Sequence, residues 1–272
     1  MAHTAPVFTP GLAEKLYEQL APLAAGKGPL SVEIVQSCDS TNTRLLERAR
    51  AGDTAPALLV AETQTAGRGR MGRQWLGEPG DCLMFSLGLA LHPQSWSGLS
   101  LVAGLEIASV LHPDIRIKWP NDLWVGQAKL AGILIETANA PGLPEGSRYV
   151  VLGCGLNVRA PQAAPDTLRG PPTGLQNLLP TASAASAASA LQALAAPLLQ
   201  SVLAFETLGF APWQERYAQR DALAGLEVKL TELDKTTGMG QAMGVTADGA
   251  LLVHTWDGIK EITSGEVSVR PR

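Results

Sequence analysis

Gly67-Arg68-Gly69-Arg70-Met71-Gly72-Arg73-Gln74-Trp75 packs three arginines and three glycines into its first seven residues, with no acid among them. Glycine lets backbone come close to a bound group, and guanidinium forks hold carboxylate or phosphate through paired hydrogen bonds. The stretch reads as an anion-grasping loop, the bland alternative being a solvated basic turn. The same letters satisfy the GxGxxG pattern of a dinucleotide-binding fold. That fold needs a strand running directly into the first glycine and a helix leaving the third. Here Thr63-Gln64-Thr65-Ala66 separates the preceding apolar run from Gly67, and Gly77, Pro79 and Gly80 forbid a helix after Gly72. The dinucleotide fold is excluded, and some other mixed α/β architecture must present the loop.

Outward from that loop, residues 63–81 hold five glycines and one proline without an apolar period, so the whole stretch is expected to be loop. Loops of this length inside a domain are functional or disordered. Upstream, 57–62 is a compact apolar strand, and 40–50 has helical spacing with Asp39 or Ser40 as cap. The first 30 residues offer one short amphipathic helix at 11–20 and a flexible Ala/Gly/Pro stretch, read together as a leading arm. Downstream, strands are expected at 83–91 and 115–119 around a helix at 97–111, then at 133–136 and 149–154. Helices follow at 181–205, rich in Ala, Ser and Leu, and at 213–223. After Gly225 short strands alternate with the turn signals Thr246–Ala250 and Trp256–Gly258. The expected division is an arm at 1–30, a mixed α/β domain at 31–224 and a small all-β domain at 225–272, which leans on its neighbour for stability.

With 272 residues, the chain is long enough for a full core. A formal net charge of −4 opposes general polyanion binding, which depends on summed positive charge, so any basic cluster must be local. No apolar run reaches the roughly 20 residues of a membrane span, and the start shows no basic segment leading into an apolar one. Cys38, Cys82 and Cys154 are odd in number and far apart, which suits a reducing compartment and opposes a thiolate metal site. A cytoplasmic protein without membrane association is expected.

Two further segments carry chemistry. In Lys118-Trp119-Pro120-Asn121-Asp122 and Lys129-Leu130-Ala131-Gly132, two of only seven lysines border apolar strands. A lysine desolvated there is relieved by a bound phosphate or carboxylate, or else snorkels to solvent. Pro120 cannot donate to a ladder and ends its strand, leaving Asn121 and Asp122 at the mouth. In Gly153-Cys154-Gly155-Leu156-Asn157, the two glycines suggest a group lying close against the backbone. The four histidines lack zinc spacing, and neither GxSxG nor GxxxxGK[ST] occurs.

In this order, Ser40-Thr41-Asn42, Gln64, the 67–75 loop, Lys118–Asp122, Lys129–Glu136 and Gly153–Asn157 resemble the catalytic domain of biotin protein ligases. The likeness is strongest over about 33–160, and Gly265–Arg270 resembles the end of the family's SH3-like C-terminal domain. It implies the class II aminoacyl-tRNA synthetase/biotin ligase-like α/β fold, a mixed sheet backed by helices, with a small C-terminal SH3-like β-barrel. It implies biotin contacts at Ser40, Thr41, Asn42, Gln64, Arg68, Gly69, Arg70, Lys129 and Gly132. On the ATP or adenylate side it implies Arg70, Arg73, Trp75, Lys118, Asn121, Asp122 and Asn157, with Lys129, Arg68 and Arg70 carrying the chemistry. ATP, Mg²⁺ and biotin are then the small molecules, the magnesium carried by ATP rather than by a protein cage. The partner is a biotin carboxyl carrier protein. With one helix and no basic recognition face ahead of the catalytic segment, DNA binding is not expected; monomer and homodimer both stay open. Met71 stands where some relatives carry another basic residue. The rivals are a lipoate or octanoate ligase or transferase on the same fold, and a nucleic-acid-binding module using the arginine loop.

Overall fold

The computed structural model describes residues 7–161, 171–179, 181, 184–232, 235–263 and 267–271. The chain opens with α1 (Leu12–Ala24), β1 (Ser31–Cys38), α2 (Thr41–Arg50) and β2 (Ala57–Gln64). After the arginine loop come β3 (Cys82–Leu91), α3 (Leu99–Leu111), β4 (Ile115–Lys118), β5 (Asp122–Val125), β6 (Ala128–Ala138) and β7 (Arg148–Asn157). Then follow α4 (Ala187–Leu208), α5 (Gln214–Ala218), and the strands β8 (Glu227–Glu232), β9 (Lys235–Val245), β10 (Leu251–Thr255), β11 (Gly258–Ile262) and β12 (Val267–Pro271).

Seven strands form one mixed sheet in the order β1-β2-β3-β7-β6-β5-β4. Only β1 and β2 run parallel, because α2 carries the chain back between them; the other pairs are antiparallel. One face packs on α1, α3 and α4 through a large core that includes Leu16, Leu20, Phe85, Leu105, Ile133, Leu152, Leu198 and Phe205. The other face is covered at one end only, where α2 lays Leu45, Leu46 and Ala49 on Leu59 and Val151. The uncovered stretch of that face is where the candidate site lies. A second sheet, β11-β10-β9-β8-β12, is wholly antiparallel. It docks on the first through Trp119, whose Nε1 donates to Gly249 O at 3.0 Å, and Gln214, whose Nε2 donates to Val245 O at 2.7 Å.

The structure departs from the sequence reading in identifiable places. The segment read as a leading arm contributes α1 to the core, with Leu12, Leu16, Leu20 and Ala24 buried. Lys27 fixes it further by an ion pair to Glu206 of α4 at 2.6 Å. Two strands were not foreseen: edge strand β1, only half buried along most of its length, and the four-residue β5, hidden behind Pro120. β6 begins at Ala128 rather than 133, so Lys129 lies inside a strand. α4 is 22 residues long and, by length and composition, apolar enough to cross a bilayer, yet Leu191, Leu194, Leu198, Leu199, Val202 and Phe205 face the core. The helix expected over 213–223 is the short α5, entered through a 3-10 turn at Ala211–Trp213.

Candidate active site

Strand periodicity decides which side chains meet on the open face. In register across β3, β7, β6 and β5 stand Met84 and Ser86, Gly155 and Gly153, Gly132 and Leu134, and Asp122 opposite Gly132. The glycines of β7 are there because side chains from elsewhere occupy their place. A Cβ on Gly153 would lie 2.1 Å from Asn42 Oδ1, and one on Gly155 would lie 2.2 Å from Trp75 Cε2. Gly132, directly across from Gly155, completes a slot in which the Trp75 indole lies flat on the sheet, and Trp75 Nε1 donates to Cys82 Sγ at 3.3 Å. Burial pushes the Cys82 thiol up to about 11, so this sulfur serves as a neutral acceptor.

One end of the face is polar and buried. Ser40 caps α2, its hydroxyl accepting from Thr43 N at 3.5 Å. Thr41 N donates to Gln64 Oε1 at 2.7 Å, joining the start of α2 to the end of β2. Asn42 Nδ2 donates to Glu136 Oε2 at 3.0 Å and to Leu134 O at 3.3 Å. Ser86 Oγ sits 2.6 Å from both Thr41 Oγ1 and Asn42 Oδ1 and is fully buried. Ser86 and Glu136 were not singled out from the sequence. The signal was there for Ser86, the one hydroxyl in the apolar run Cys82–Leu91, since a buried hydroxyl needs a partner.

The arginine loop crosses this face as a closed unit. Gly69 N donates to Arg73 O at 2.7 Å and Trp75 N to Gly67 O at 2.9 Å, around a 3-10 turn at Arg70–Gly72. Met71, at φ 58°, is the single non-glycine residue with positive φ among the described residues. Arg68, half exposed, reaches to the polar end, where Nη2 donates to Glu136 Oε1 at 2.9 Å. Arg70 reaches the other way, with Nη1 donating to Asn121 Oδ1 at 3.1 Å. Burial pulls the Arg70 guanidinium down from its ordinary value, and the charge of Asp122 opposes that pull. Arg73 and Gly72 lie exposed at the outer edge.

At this second end Lys129 Nζ pairs with Asp122 Oδ1 at 2.7 Å and lies 5.6 Å from the Trp75 ring centre. Lys118, nearly buried, places its ammonium 5.2 Å from the ring centre of Trp124. Asn121 Nδ2 donates to Ile133 O at 2.7 Å, which fixes the turn between β4 and β5 to β6. Asn157 spends its amide on Thr173 O at 3.1 Å and Lys129 O at 3.4 Å, bracing the backbone that carries Lys129. Every residue expected at a site from the sequence therefore borders this one face or supports it, apart from Arg73 at its rim. Among the described residues no three His, Cys, Asp or Glu converge as metal ligands. Chemically, the arrangement is a buried hydrogen-bonding end joined, across the Trp75 ring, to an end with several cations.

Comparison with known proteins agrees with this geometry. Residues 34–157 match the biotin/lipoate A/B protein ligase family, and residues 225–270 match the biotin protein ligase C terminal domain. The bifunctional ligase/repressor BirA of Escherichia coli is 35% identical, over 97% of this chain and 84% of its own length. The biotin–[acetyl-CoA-carboxylase] ligase of Paracoccus denitrificans is 33% identical, over 84% of this chain and 96% of its own. Among solved structures, the biotin protein ligase from Aquifex aeolicus in complex with biotin and ATP superposes with a TM-score of 0.70 at 27% identity, covering 89% of this chain and 99% of that one.

Proposed function

The chain belongs to the biotin/lipoate A/B protein ligase family, and we propose that its open sheet face carries out ATP-dependent biotin–protein ligation. In the first step a biotin carboxylate oxygen bonds to the α-phosphorus of ATP, the bond to the β-phosphate oxygen breaks, and pyrophosphate leaves. In the second, a carrier lysine amine attacks the acyl carbon of biotinyl-5'-AMP. The acyl–oxygen bond breaks, AMP leaves, and the amine gives up a proton.

The observation that carries this reading is the pair of cations anchored on adjacent residues, Arg70 on Asn121 and Lys129 on Asp122. Adenylation presses two anions together, and fixed cations offset their repulsion and stabilise charge as it develops. Lys129 meets the reacting carboxylate and α-phosphate, exchanging Asp122 for substrate. Arg70, with Arg68, covers the ligand, and Gly69 lets the loop backbone lie close to it. Trp75, Lys118, Asn121, Asp122 and Arg73 serve the nucleotide side, and Asn157 serves it through the Lys129 backbone. Magnesium enters as part of its complex with ATP and carries part of the phosphate charge. Ser40, Thr41, Asn42 and Gln64 surround the head of biotin, and Gly132, further along the face beside Trp75 and Lys129, lies against the rest of it. The polar end favours a ureido head over the apolar tail of lipoate or octanoate, which would leave buried donors and acceptors poorly matched.

We further place the catalytic domain at 31–224, with α1 packed into its core, and the C-terminal domain at 225–272, and take the carrier to be a biotin carboxyl carrier protein of acetyl-CoA carboxylase. The test is ATP–pyrophosphate exchange by the purified protein with biotin, lipoate or octanoate, followed by intact-mass analysis of a carrier domain. Exchange supported by lipoate or octanoate and not by biotin removes the substrate assignment. A carrier that gains no biotinyl mass removes the transfer step.

A further inference from the structure

We infer that Trp119 is a positioning residue through which the C-terminal sheet sets the Arg70 and Lys129 cations; this rests on the ligase reading above. Trp119 is 1% exposed and lies between the two sheets, where its only indole N–H donates to Gly249 O at 3.0 Å. That acceptor is rigid. The β9–β10 turn is closed by Thr246 N to Ala250 O at 2.8 Å and Gly249 N to Thr246 O at 2.9 Å, and the Thr246 hydroxyl accepts from Asp248 N and Ala250 N. The turn is also pressed against α3, because a Cβ on Gly249 would lie 2.9 Å from Gly98 Cα.

On its other side, Trp119 begins the turn that carries the site's orienting groups. Ser100 Oγ donates to Pro120 O at 2.9 Å, Asn121 holds Arg70, and Asp122 holds Lys129. Four consecutive residues, Trp119 to Asp122, thus link the Gly249 carbonyl of the C-terminal domain to both anchored cations. The polar end with Asn42, Ser86 and Glu136 has no part in this link. A shift of Trp119 therefore disturbs the nucleotide and reaction end and leaves the head-binding end in place.

Gln214 supplies the control. Its Nε2 donates to Val245 O, a bond of the same kind across the same junction, but from α5 rather than from the turn that carries Asn121 and Asp122. The experiment compares Trp119→Phe, Gly249→Ala and Gln214→Leu in the full-length protein. It measures biotin-dependent ATP–pyrophosphate exchange, biotin affinity by calorimetry and thermal melting. Trp119→Phe removes the donor and keeps an aromatic ring, while Gly249→Ala displaces the acceptor at φ 77°. Both are expected to slow adenylation at least about fivefold and raise KM for ATP, the scale of one lost hydrogen bond, with biotin affinity within about twofold. Gln214→Leu should lower the melting temperature and leave both kinetic constants alone. The inference is overturned if Trp119→Phe and Gly249→Ala retain the parent kcat and KM for ATP, if biotin affinity falls in step with them, or if Gln214→Leu loses as much activity. An unaltered chain without biotin-dependent exchange defeats the ligase reading instead.

Discussion

Lys129 occupies half-buried ground, 25% exposed at its side chain, with Asp122 as its partner before any substrate arrives. Replacing it by Ala deletes a cation from the reaction end and leaves Asp122 without its ion pair. Adenylate formation should fall by a factor on the order of 10² to 10³, read by single-turnover formation of biotinyl-5'-AMP, while biotin affinity at the far polar end changes little. Adenylation at the parent rate would remove Lys129 from the chemistry. A second residue, Asp221, makes a pH-dependent prediction. Its carboxylate is buried beside the hydroxyl of Tyr217, and burial raises it above the ordinary value despite the opposing pull of the bond from Leu223 N and of the Tyr217 hydroxyl. An acid raised in the folded chain holds its proton more tightly there. Its ionisation therefore subtracts stability as pH climbs from the unfolded pKa to the folded one. Asp221→Asn should melt higher than the parent at neutral pH, and the two curves should converge below about pH 4, where the unfolded carboxyl also keeps its proton. A gain of equal size at every pH would contradict this account.

Among the elements, β7 shows most directly how packing serves the site. Gly155→Ala puts a methyl 2.2 Å from an indole carbon, so Trp75 must leave its slot or the strand must bend. The expected stability cost is about 1–3 kcal/mol by overpacking, and leakage of biotinyl-5'-AMP into solvent should rise several-fold as Trp75 is pushed off the sheet. A variant that melts lower and retains its adenylate as the parent does would show that the slot matters to the fold alone. This element also shows what the sequence could tell. Gly153-Cys154-Gly155 announced that something approaches the strand, yet the identity of the two visitors, Asn42 and Trp75, depends on contacts more than 70 residues apart along the chain. The same holds for β1 and β5. Their side chains alternate too weakly or too briefly to be read alone, and only pairing with β2 and with β4 and β6 fixes them as strands. Arg68, Arg70, Lys129 and Asn121 were legible because their types and spacing announce anion chemistry. Glu136 was not, because one acid in an apolar strand looks the same whether or not its neighbours bind a ligand, and Ser86 showed only that a buried hydroxyl needs some partner.

Across the whole molecule, the closed face of the sheet depends on the first helix. Glu206 of α4 accepts from Lys27 Nζ at 2.6 and 2.8 Å and from His92 N at 2.8 Å, tying the end of α1 and the end of β3 to one carboxylate. Glu206→Ala should therefore cost about 2–3 kcal/mol, measured by urea unfolding, more than an exposed ion pair would. No loss beyond about 0.5 kcal/mol would mean that α1 is held by its apolar stripe alone. On the opposite face, the arginine loop is tied to itself by its own backbone bonds and to the sheet at two separated points, Glu136 through Arg68 and Asn121 through Arg70. A hairpin moored at bow and stern swings when one line parts. Severing the Asn121 line should hasten the departure of nucleotide, while the Glu136 line keeps the head mouth shut.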